Sequence, residues 1–160
     1  VFRMNRGKLS LEGLAEKALE LNAEKVVVVE RWKGGPGKIE FYKLGENGLQ
    51  PTPPLIYLRG VKLQREFQTM ARRRRIKSVA IAAVADASEE SEMLERALSS
   101  FFSIPIISRV DEYRGYNGVM HIAAEPSGYF VVTFKVLPEN LEIGPRLTIA
   151  RLSWDFIHEG

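Results

Sequence analysis

A dense run of cations is the feature of this sequence with the clearest chemical meaning. Five of the six residues in the segment 72–77 are basic, namely Arg72, Arg73, Arg74, Arg75 and Lys77. The wider window 59–77 holds eight basic residues and one acidic residue, a net charge of +7 in a chain whose net charge is +3. So concentrated a positive patch is typical of a protein that binds a polyanion, most often a nucleic acid. The alternative is a solvated loop, or a sheet edge protected by charge.

Two further groups of residues could add to such a surface. Arg6 and Lys8 stand just ahead of the first predicted helix, whose N-terminal amide groups favour anions. A polar loop carries two arginines and two tyrosines: Arg109, Tyr113, Arg114 and Tyr116. Interleaved arginine and tyrosine suit phosphate contact combined with base stacking. A loop that simply caps a core explains the tyrosines equally well.

The residues that catalysis or metal binding would require are missing. The chain has no cysteine, and its two histidines, His121 and His158, are far apart, so no zinc ligand set can be assembled from the sequence. The segment 34–38 is not a Walker loop, because Trp32 stands where the first glycine belongs and Ile39 where Ser or Thr belongs. Acidic residues at 89–95 suit the positive end of a helix dipole. The sequence therefore predicts no enzyme, no metal and no cofactor.

Length and composition bound the architecture. A chain of 160 residues, 45% apolar and 27% charged, is one domain or two small halves that share a core. No apolar run approaches the ~20 residues that would span a bilayer, so we expect no membrane partner. The absence of cysteine fits a reducing, intracellular setting. The chain begins at Val1 and not at Met, so we expect an upstream piece to be missing.

Hydrophobic periodicity predicts an α/β fold. One helix is predicted from its N-cap at Ser10 to Asn22, and a second from Asp86 or Ser88 to Phe102. The predicted strands are 26–29, 39–44, 55–63, 76–85, 104–108, 119–125, 129–137 and 146–156. The β-branched run 26–29 is typical of a strand buried on both faces, and the Gly- and Pro-rich residues 45–54 predict a loop.

These elements fall into two units within a single domain, 1–160. The first unit spans 1–63 and the second 76–157. The units would share one plan if a strand and a helix preceded Val1. The first half is then truncated at its start, and a duplicated fold is a hypothesis.

Three segments carry a resemblance to a known family. The segment 5–11, Asn-Arg-Gly-Lys-Leu-Ser-Leu, opens a predicted helix and is followed by Val-Val-Val-Val-Glu-Arg at 26–31 and Ile-Glu-Phe-Tyr at 39–42. This order resembles the Brix-domain family. The segment 142–148, Glu-Ile-Gly-Pro-Arg-Leu-Thr, is similar to the family's Gly-Pro-Arg signature. The chain looks like the single-domain archaeal members, which are related to the Imp-type pre-rRNA processing factors.

The resemblance implies both a fold and a function. It implies two similar α/β halves, each a mixed sheet with helices like the anticodon-binding domain of class II aminoacyl-tRNA synthetases. It implies a cytoplasmic archaeal ribosome-biogenesis factor, not an enzyme, that binds pre-rRNA or rRNA and works with other ribosome-assembly proteins. The family's RNA-binding motif maps onto Gly144, Pro145, Arg146 and Thr148. A turn that starts the last strand is the alternative reading of the same residues.

Two other function classes stay open at this point. In one, a protein-interaction module pairs an exposed edge strand, such as 55–63 or 146–156, with a partner. In the other, the chain is a nuclease or an RNA-modifying enzyme whose site has no recognisable motif.

Overall fold

The computed structural model describes residues 3–32, 35–67, 75–85 and 87–155, which form a mixed α/β fold. The two helices in this part are α1 (Leu11–Glu20) and α2 (Glu89–Phe102). The nine strands are β1 (Lys25–Trp32), β2 (Gly35–Gly45), β3 (Gly48–Lys62), β4 (Val79–Ala82), β5 (Ile106–Ile107), β6 (Gly118–Ala124), β7 (Phe130–Val136), β8 (Leu141–Glu142) and β9 (Arg146–Ser153). Two short 3₁₀ turns lie at Gln64–Glu66 and Val110–Gly115. The predicted α/β class is confirmed.

All nine strands join one sheet. Their order is β1-β2-β3-β9-β7-β6-β4-β5, and β8 pairs with the C-terminal end of β7. Pairing is antiparallel except where β4 lies parallel to both β5 and β6. The strands predicted at 119–125 and 129–137 form a hairpin across residues 126–128, since β6 and β7 pair along their whole length.

The two helices cover opposite faces of this sheet. Leu14 of α1 packs with Val28 and Tyr42, whereas Phe101 of α2 stacks at 4.9 Å on Phe41. Successive side chains of a strand point to opposite faces, so Phe41 and Tyr42 place the helices on opposite sides. We name these sides the α1 face and the α2 face.

The main core lies under α2 and draws on both predicted halves. Its buried side chains include Ile56 and Leu58 of β3 together with Ile81 of β4, Ile122 of β6 and Ile149 of β9. Within the predicted strand 55–63, Ile56 and Leu58 thus point inward, whereas Leu63 is 43% exposed. Whether the halves 1–63 and 76–157 are duplicates stays a prediction.

Both helices begin where the sequence predicted. The hydroxyl of Ser10 accepts a hydrogen bond from the Gly13 amide at 3.1 Å, and the hydroxyl of Ser88 accepts one from the Ser91 amide at 3.1 Å. Each satisfies an amide that has no partner inside its helix. Neither helix in the described part of the chain has the length and hydropathy needed to cross a bilayer.

The prediction that 26–29 is buried on both faces is wrong. Val28 is buried, but Val27 and Val29 are 42% and 63% exposed. The reason is position, because β1 pairs only with β2 and ends the sheet order. β-branched residues favour any strand, whether central or at an edge.

The predicted loop 45–54 is also wrong. Only Glu46 and Asn47 form a turn, and β3 begins at Gly48. The prolines are tolerated because β9 pairs with β3 only from Leu55 onward, so the preceding residues have a free side. A proline there removes no ladder hydrogen bond.

The strands 55–63 and 146–156 are not the exposed edges that the interaction hypothesis required. β3 lies between β2 and β9, and β9 lies between β3 and β7. In the described part of the sheet, the edges are β1 and β5. The apolar residues of β3 and β9 reflect the central position of these two strands over the main core.

Candidate nucleic-acid interface

The arginine run lies between two structured anchors. Arg72, Arg73 and Arg74 fall outside the described residues. The described chain ends at Phe67 and begins again at Arg75. These two ends decide where the run is attached to the fold.

The upstream anchor is Phe67, which is only 7% exposed. It follows the 3₁₀ turn Gln64–Glu66, in which the Glu66 carboxylate accepts a hydrogen bond from the Leu63 amide at 2.5 Å. Two cations lie over its ring: Lys62 Nζ is 4.2 Å and Arg146 Cζ is 5.6 Å from the ring centre. Both distances are within the range of a cation–π contact.

Gly144 makes room for that ring. Its φ of +75° is left-handed, and a Cβ there would stand 2.5 Å from the edge of the Phe67 ring. Glycine alone meets both conditions without strain. The Gly144–Arg146 segment therefore contacts Phe67, the last described residue before the arginine run.

Arg146 is held by a carboxylate. Its Nε and Nη2 donate to the two Glu142 oxygens at 2.8 and 2.5 Å, a bidentate pair. The hydrogen bond from Arg146 lowers the pKa of Glu142, and the same contact raises the pKa of Arg146. The fork that was predicted to grip a phosphate thus faces Glu142. Thr148 is half-buried in β9, opposite Gly60 and Val131.

The downstream anchor is Asn117. Its Oδ1 accepts hydrogen bonds from the amides of Lys77 at 3.0 Å and Ser78 at 3.1 Å, and its Nδ2 donates to the Arg75 carbonyl at 2.8 Å. One side chain therefore satisfies three backbone groups of the segment that leaves the run. Asn117 fixes the direction in which this segment meets the sheet.

The same segment is sealed against the sheet by Ile76. Its side chain packs with Val136 and Ile143, and a Cβ at Gly118 would stand 2.8 Å from its methyl group. Arg75 and Lys77, on either side of Ile76, are exposed. Alternation thus turns the apolar side chain inward and leaves two cations in solvent.

The aromatic loop adjoins this anchor. The hydroxyl of Ser78 donates to the Gly115 carbonyl at 3.1 Å, so the turn Val110–Gly115 is tied to the end of the run. Arg109 and Arg114 are exposed, as is Glu112 between them. The segment 109–114 carries two basic residues, Arg109 and Arg114, and two acidic residues, Asp111 and Glu112, so it adds no net charge to this corner of the molecule.

Tyr113 and Tyr116 differ in their surroundings. The Tyr113 hydroxyl donates to the Ile107 carbonyl at 3.0 Å, and burial raises the pKa of this phenol. That contact favours the core-capping interpretation of Tyr113. Tyr116 is half-buried.

Arg6 and Lys8 differ in their surroundings. Arg6 forms an ion pair with Glu30, and its Nε donates to the Leu9 carbonyl at 2.9 Å. The same network continues through Lys38 to Glu40 at 2.8 Å. Lys8 is exposed. Arg6 therefore stabilises the approach to α1, while Lys8 is accessible to a ligand.

His121 and Lys38, which were considered for metal and phosphate-loop roles, both lie in strands. His121 is half-buried in β6, and burial lowers its pKa; His158 lies outside the described residues. Lys38, which follows the glycine-rich turn, is in a strand and not at the start of a helix. The described ranges contain no group of three or more His, Asp or Glu side chains arranged to hold a metal ion.

Sequence reasoning missed Phe67, Asn117 and Gly118 as parts of this interface. Phe67 carries one usable signal, a large apolar residue at the border of a highly charged segment. Asn117 and Gly118 carry none, because their contacts join residues about 40 positions apart.

Comparison with known proteins gives a local sequence match and a full-length structural match. No family model matches the chain. Over 64 residues, 40% of its length, the chain is 38% identical to the probable Brix domain-containing ribosomal biogenesis protein of Pyrococcus abyssi (strain GE5 / Orsay). The match spans 28% of that relative.

The fold is similar to the crystal structure of a probable ribosomal biogenesis protein from Aeropyrum pernix K1. The TM-score is 0.74 at 24% sequence identity, over 95% of this chain and 83% of that one. The resemblance to Brix-domain proteins that the motifs indicated is therefore confirmed, and the chain shares its fold with an archaeal ribosomal biogenesis protein.

Proposed function

We propose that this protein is a ribosome-biogenesis factor that binds pre-rRNA or rRNA through electrostatic, non-catalytic contacts and assists its processing or folding. The names of the two similar proteins support the assignment to ribosome biogenesis. The observation that carries RNA binding is the attachment of the arginine run at both ends, at Phe67 and at Asn117. Its two described cations, Arg75 and Lys77, are exposed beside the Asn117 anchor.

The proposed mechanism is charge neutralisation with release of counterions. Arg72, Arg73, Arg74, Arg75 and Lys77 are the principal phosphate contacts in this proposal. Five contacts to a single strand predict that the logarithm of affinity falls with the logarithm of salt concentration at a slope of about −3.5. Lys8 is a secondary contact. Holding single strands with their bases accessible would help two RNAs to pair.

Arg146 has an indirect role in this proposal. Its guanidinium lies over Phe67 and is paired with Glu142, so it stabilises the position of Phe67 at the upstream end of the run. Direct phosphate contact by Arg146 would require the Glu142 carboxylate to be displaced. In this proposal Gly144, Pro145 and Thr148 also act indirectly, by shaping the backbone against which Phe67 packs.

The test is binding of the chain to a ribosomal RNA fragment across a salt series. The variant changes all four arginines from Arg72 to Arg75 to serine. We expect weaker binding and a slope about 2.8 less steep, since each lost single-strand contact removes about 0.7. The matched control changes four exposed cations elsewhere to serine: Lys17, Arg31, Lys43 and Arg96.

Three outcomes would contradict the proposal or a part of it. Equal losses in both variants would show only a response to net charge. Binding that is unchanged in the run variant would place the RNA elsewhere. Turnover of labelled RNA that stops when a metal chelator is added would contradict the non-catalytic part.

A second candidate function rests on β1. Its outer edge is unpaired in the described sheet, and Val27 and Val29 expose apolar surface beside it. An edge of this kind can accept a strand from a ribosome-assembly protein. Loss of such a partner in a Val27→Lys, Val29→Lys variant that keeps its RNA affinity would support this function.

A further inference from the structure

We propose that the open part of the α1 face is a platform for single-stranded RNA, with Arg59 and Arg151 as its stacking surfaces. The ligand class rests on the proposed RNA binding, but the residues are different from the arginine run. We name this surface the sheet platform; it consists of Tyr57, Arg59, Tyr129 and Arg151.

The four side chains form two arginine–tyrosine pairs. Tyr57 and Arg151 are directly opposite each other on β3 and β9, and Arg151 Cζ lies 4.3 Å from the centre of the Tyr57 ring. Arg59 Cζ lies 5.0 Å from the centre of the Tyr129 ring, and its Nη1 donates to the Tyr129 hydroxyl at 3.1 Å. Each arginine is thereby held against a ring.

Both pairs lie on the α1 face. Ile56 and Leu58 point into the main core on the α2 face, so Tyr57 between them points the other way. Arg59 lies at an irregularity of the β3–β9 register. Its contact with Tyr129, which precedes the core residue Phe130, places it on the same side as Tyr57. Helix α1 packs on Val28 and Tyr42, toward the β1 end of the sheet. Arg59 and Arg151 are exposed beyond it.

The surface beside these pairs is open as well. A Cβ at Gly60 would meet no atom within 4 Å. Gly60 is paired with Thr148 of β9. The platform therefore continues along β3 toward Lys62 without a side chain in the way.

Charge also favours a polyanion here. The four consecutive strands of the sheet, β3, β9, β7 and β6, contain no aspartate or glutamate. Their basic residues are Arg59, Lys62, Lys135, Arg146 and Arg151. Acidic side chains border these four strands: Glu125 and Glu142 lie at their ends, and Glu40 of β2 pairs with Lys38, the cross-strand neighbour of Tyr57. A sheet surface with one sign of charge over four strands attracts phosphates.

The pairing chemistry points to bases as well as phosphates. A guanidinium that lies on a tyrosine ring leaves its other flat side available, and bases of single-stranded RNA stack on such planes. Because the ring already restrains the arginine, less side-chain entropy is lost on binding. A duplex keeps its bases stacked inside, so it can use only the charges.

The platform leads to the arginine run. From Tyr57 to Lys62 the strand covers about 17 Å. Lys62 lies over Phe67, the residue at which the run departs. One strand of RNA could follow β3 from Arg151 to the run without crossing an acidic side chain of these strands.

The first experiment replaces both arginines by lysine, as Arg59→Lys together with Arg151→Lys. Lysine keeps the charge but loses the flat surface. The probe is a single-stranded oligoadenylate of about 12 nucleotides, compared with an RNA duplex of the same length. We expect affinity for the single strand to fall about tenfold with an unchanged salt slope, and affinity for the duplex to stay the same. The control is Arg31→Lys with Arg96→Lys, two exposed arginines elsewhere, which should change neither affinity.

A second measurement does not depend on the folding of a variant. Photo-crosslinking of a 4-thiouridine-substituted single strand to the unchanged chain should label β3 and β9 at or next to Arg59 and Arg151. Labelling confined to other residues would overturn the platform, as would equal loss of single-strand and duplex affinity in the lysine variant. Displacement of the oligoadenylate by polyglutamate at the same concentration would also overturn it, in favour of an acidic protein partner.

Different experimental results would contradict this inference and the proposed function. If the rRNA fragment binds through the arginine run but no single strand reaches the platform, the platform is wrong and the function stands. If oligoadenylate binds through Arg59 and Arg151 but ribosomal RNA is bound no better than unrelated RNA, the function is wrong and the platform stands.

Discussion

The arginines of this protein differ in what holds the guanidinium. Arg6 and Arg146 are paired with the carboxylates of Glu30 and Glu142, which occupy their donors. Arg59 and Arg151 rest on tyrosine rings, which restrain the side chain and leave most N–H donors to other partners. A count of net charge does not distinguish the carboxylate-paired arginines from those on tyrosine rings. Only the arginines on tyrosine rings keep donors that a phosphate can use without displacing a carboxylate.

At the residue scale, Gly144 allows the sharpest prediction. Gly144→Ala should destabilise the fold by about 2–4 kcal/mol, because alanine is strained at φ +75° and its Cβ meets the Phe67 ring. Denaturant unfolding measures the loss.

Gly128→Ala is the matched control for Gly144→Ala. Gly128 also has a positive φ, +91°, but a Cβ there would meet nothing within 4 Å. We expect the control to cost about 1 kcal/mol from backbone strain alone. Equal losses at the two glycines would mean that the Phe67 contact does not restrict position 144.

At the scale of elements, α2 combines a well-defined start with an unfavourable interior group. Ser88 caps it, and Glu89, Glu90 and Glu92 lie in its first turn, where the helix dipole favours negative charge. One turn later, Glu95 is only 4% exposed, and its Oε1 has no hydrogen-bond partner among the described residues. A buried carboxylate without full pairing is destabilising when it is charged.

Glu95 therefore predicts a pH-dependent effect. Burial raises its pKa in the folded state, and the charge of Glu92 adds to the rise. An acid with a raised folded-state pKa contributes stability below its unfolded pKa, and that contribution is lost as pH rises through the folded pKa. Glu95→Gln keeps the shape and removes the ionisation, so it should stabilise the protein by about 1 kcal/mol at pH 7.

The measurement is denaturant unfolding of both proteins from pH 7 down to pH 4. The advantage of Glu95→Gln should shrink as pH falls. Glu16→Gln on the exposed side of α1 serves as a control and should change stability little at any pH. An advantage that is the same at every pH would show that ionisation of Glu95 is not its cause.

At the scale of the whole molecule, one sheet joins the two predicted halves. β3 of the first half pairs with β9 of the second over seven residue pairs, and the main core contains Phe41 and Ile56 as well as Ile81 and Ile149. The strands of the proposed sheet platform also come from both halves. Neither half can bury its share of this core alone.

The shared core predicts a single cooperative unfolding transition. Far-ultraviolet circular dichroism and tryptophan fluorescence, which reports on Trp154 against the main core, should give coincident denaturation curves. Separate fragments 1–67 and 75–160 should fail to fold on their own. Two resolved transitions, or a stably folded fragment, would show that the halves are independent domains.

Local features of the fold were determined by the sequence itself. Ser10 and Ser88 mark helix starts because a cap bonds an amide only three residues ahead. The alternation around Ile56 and Leu58 identifies a half-buried strand because side chains in a strand change face at every residue. The glycine at position 144 is likewise a local requirement, because its φ of +75° belongs to its own backbone.

Only the tertiary structure decided which strands lie inside the sheet and which charges meet. Val27 and Val29 are exposed because β1 has a neighbour on one side, a fact that its own residues do not encode. Arg151 reaches Tyr57, and Gly144 reaches Phe67, through strand pairing between residues about 80 to 90 positions apart. Such contacts depend on sheet order and register, which are set by the burial of the whole core and not by any short stretch of sequence.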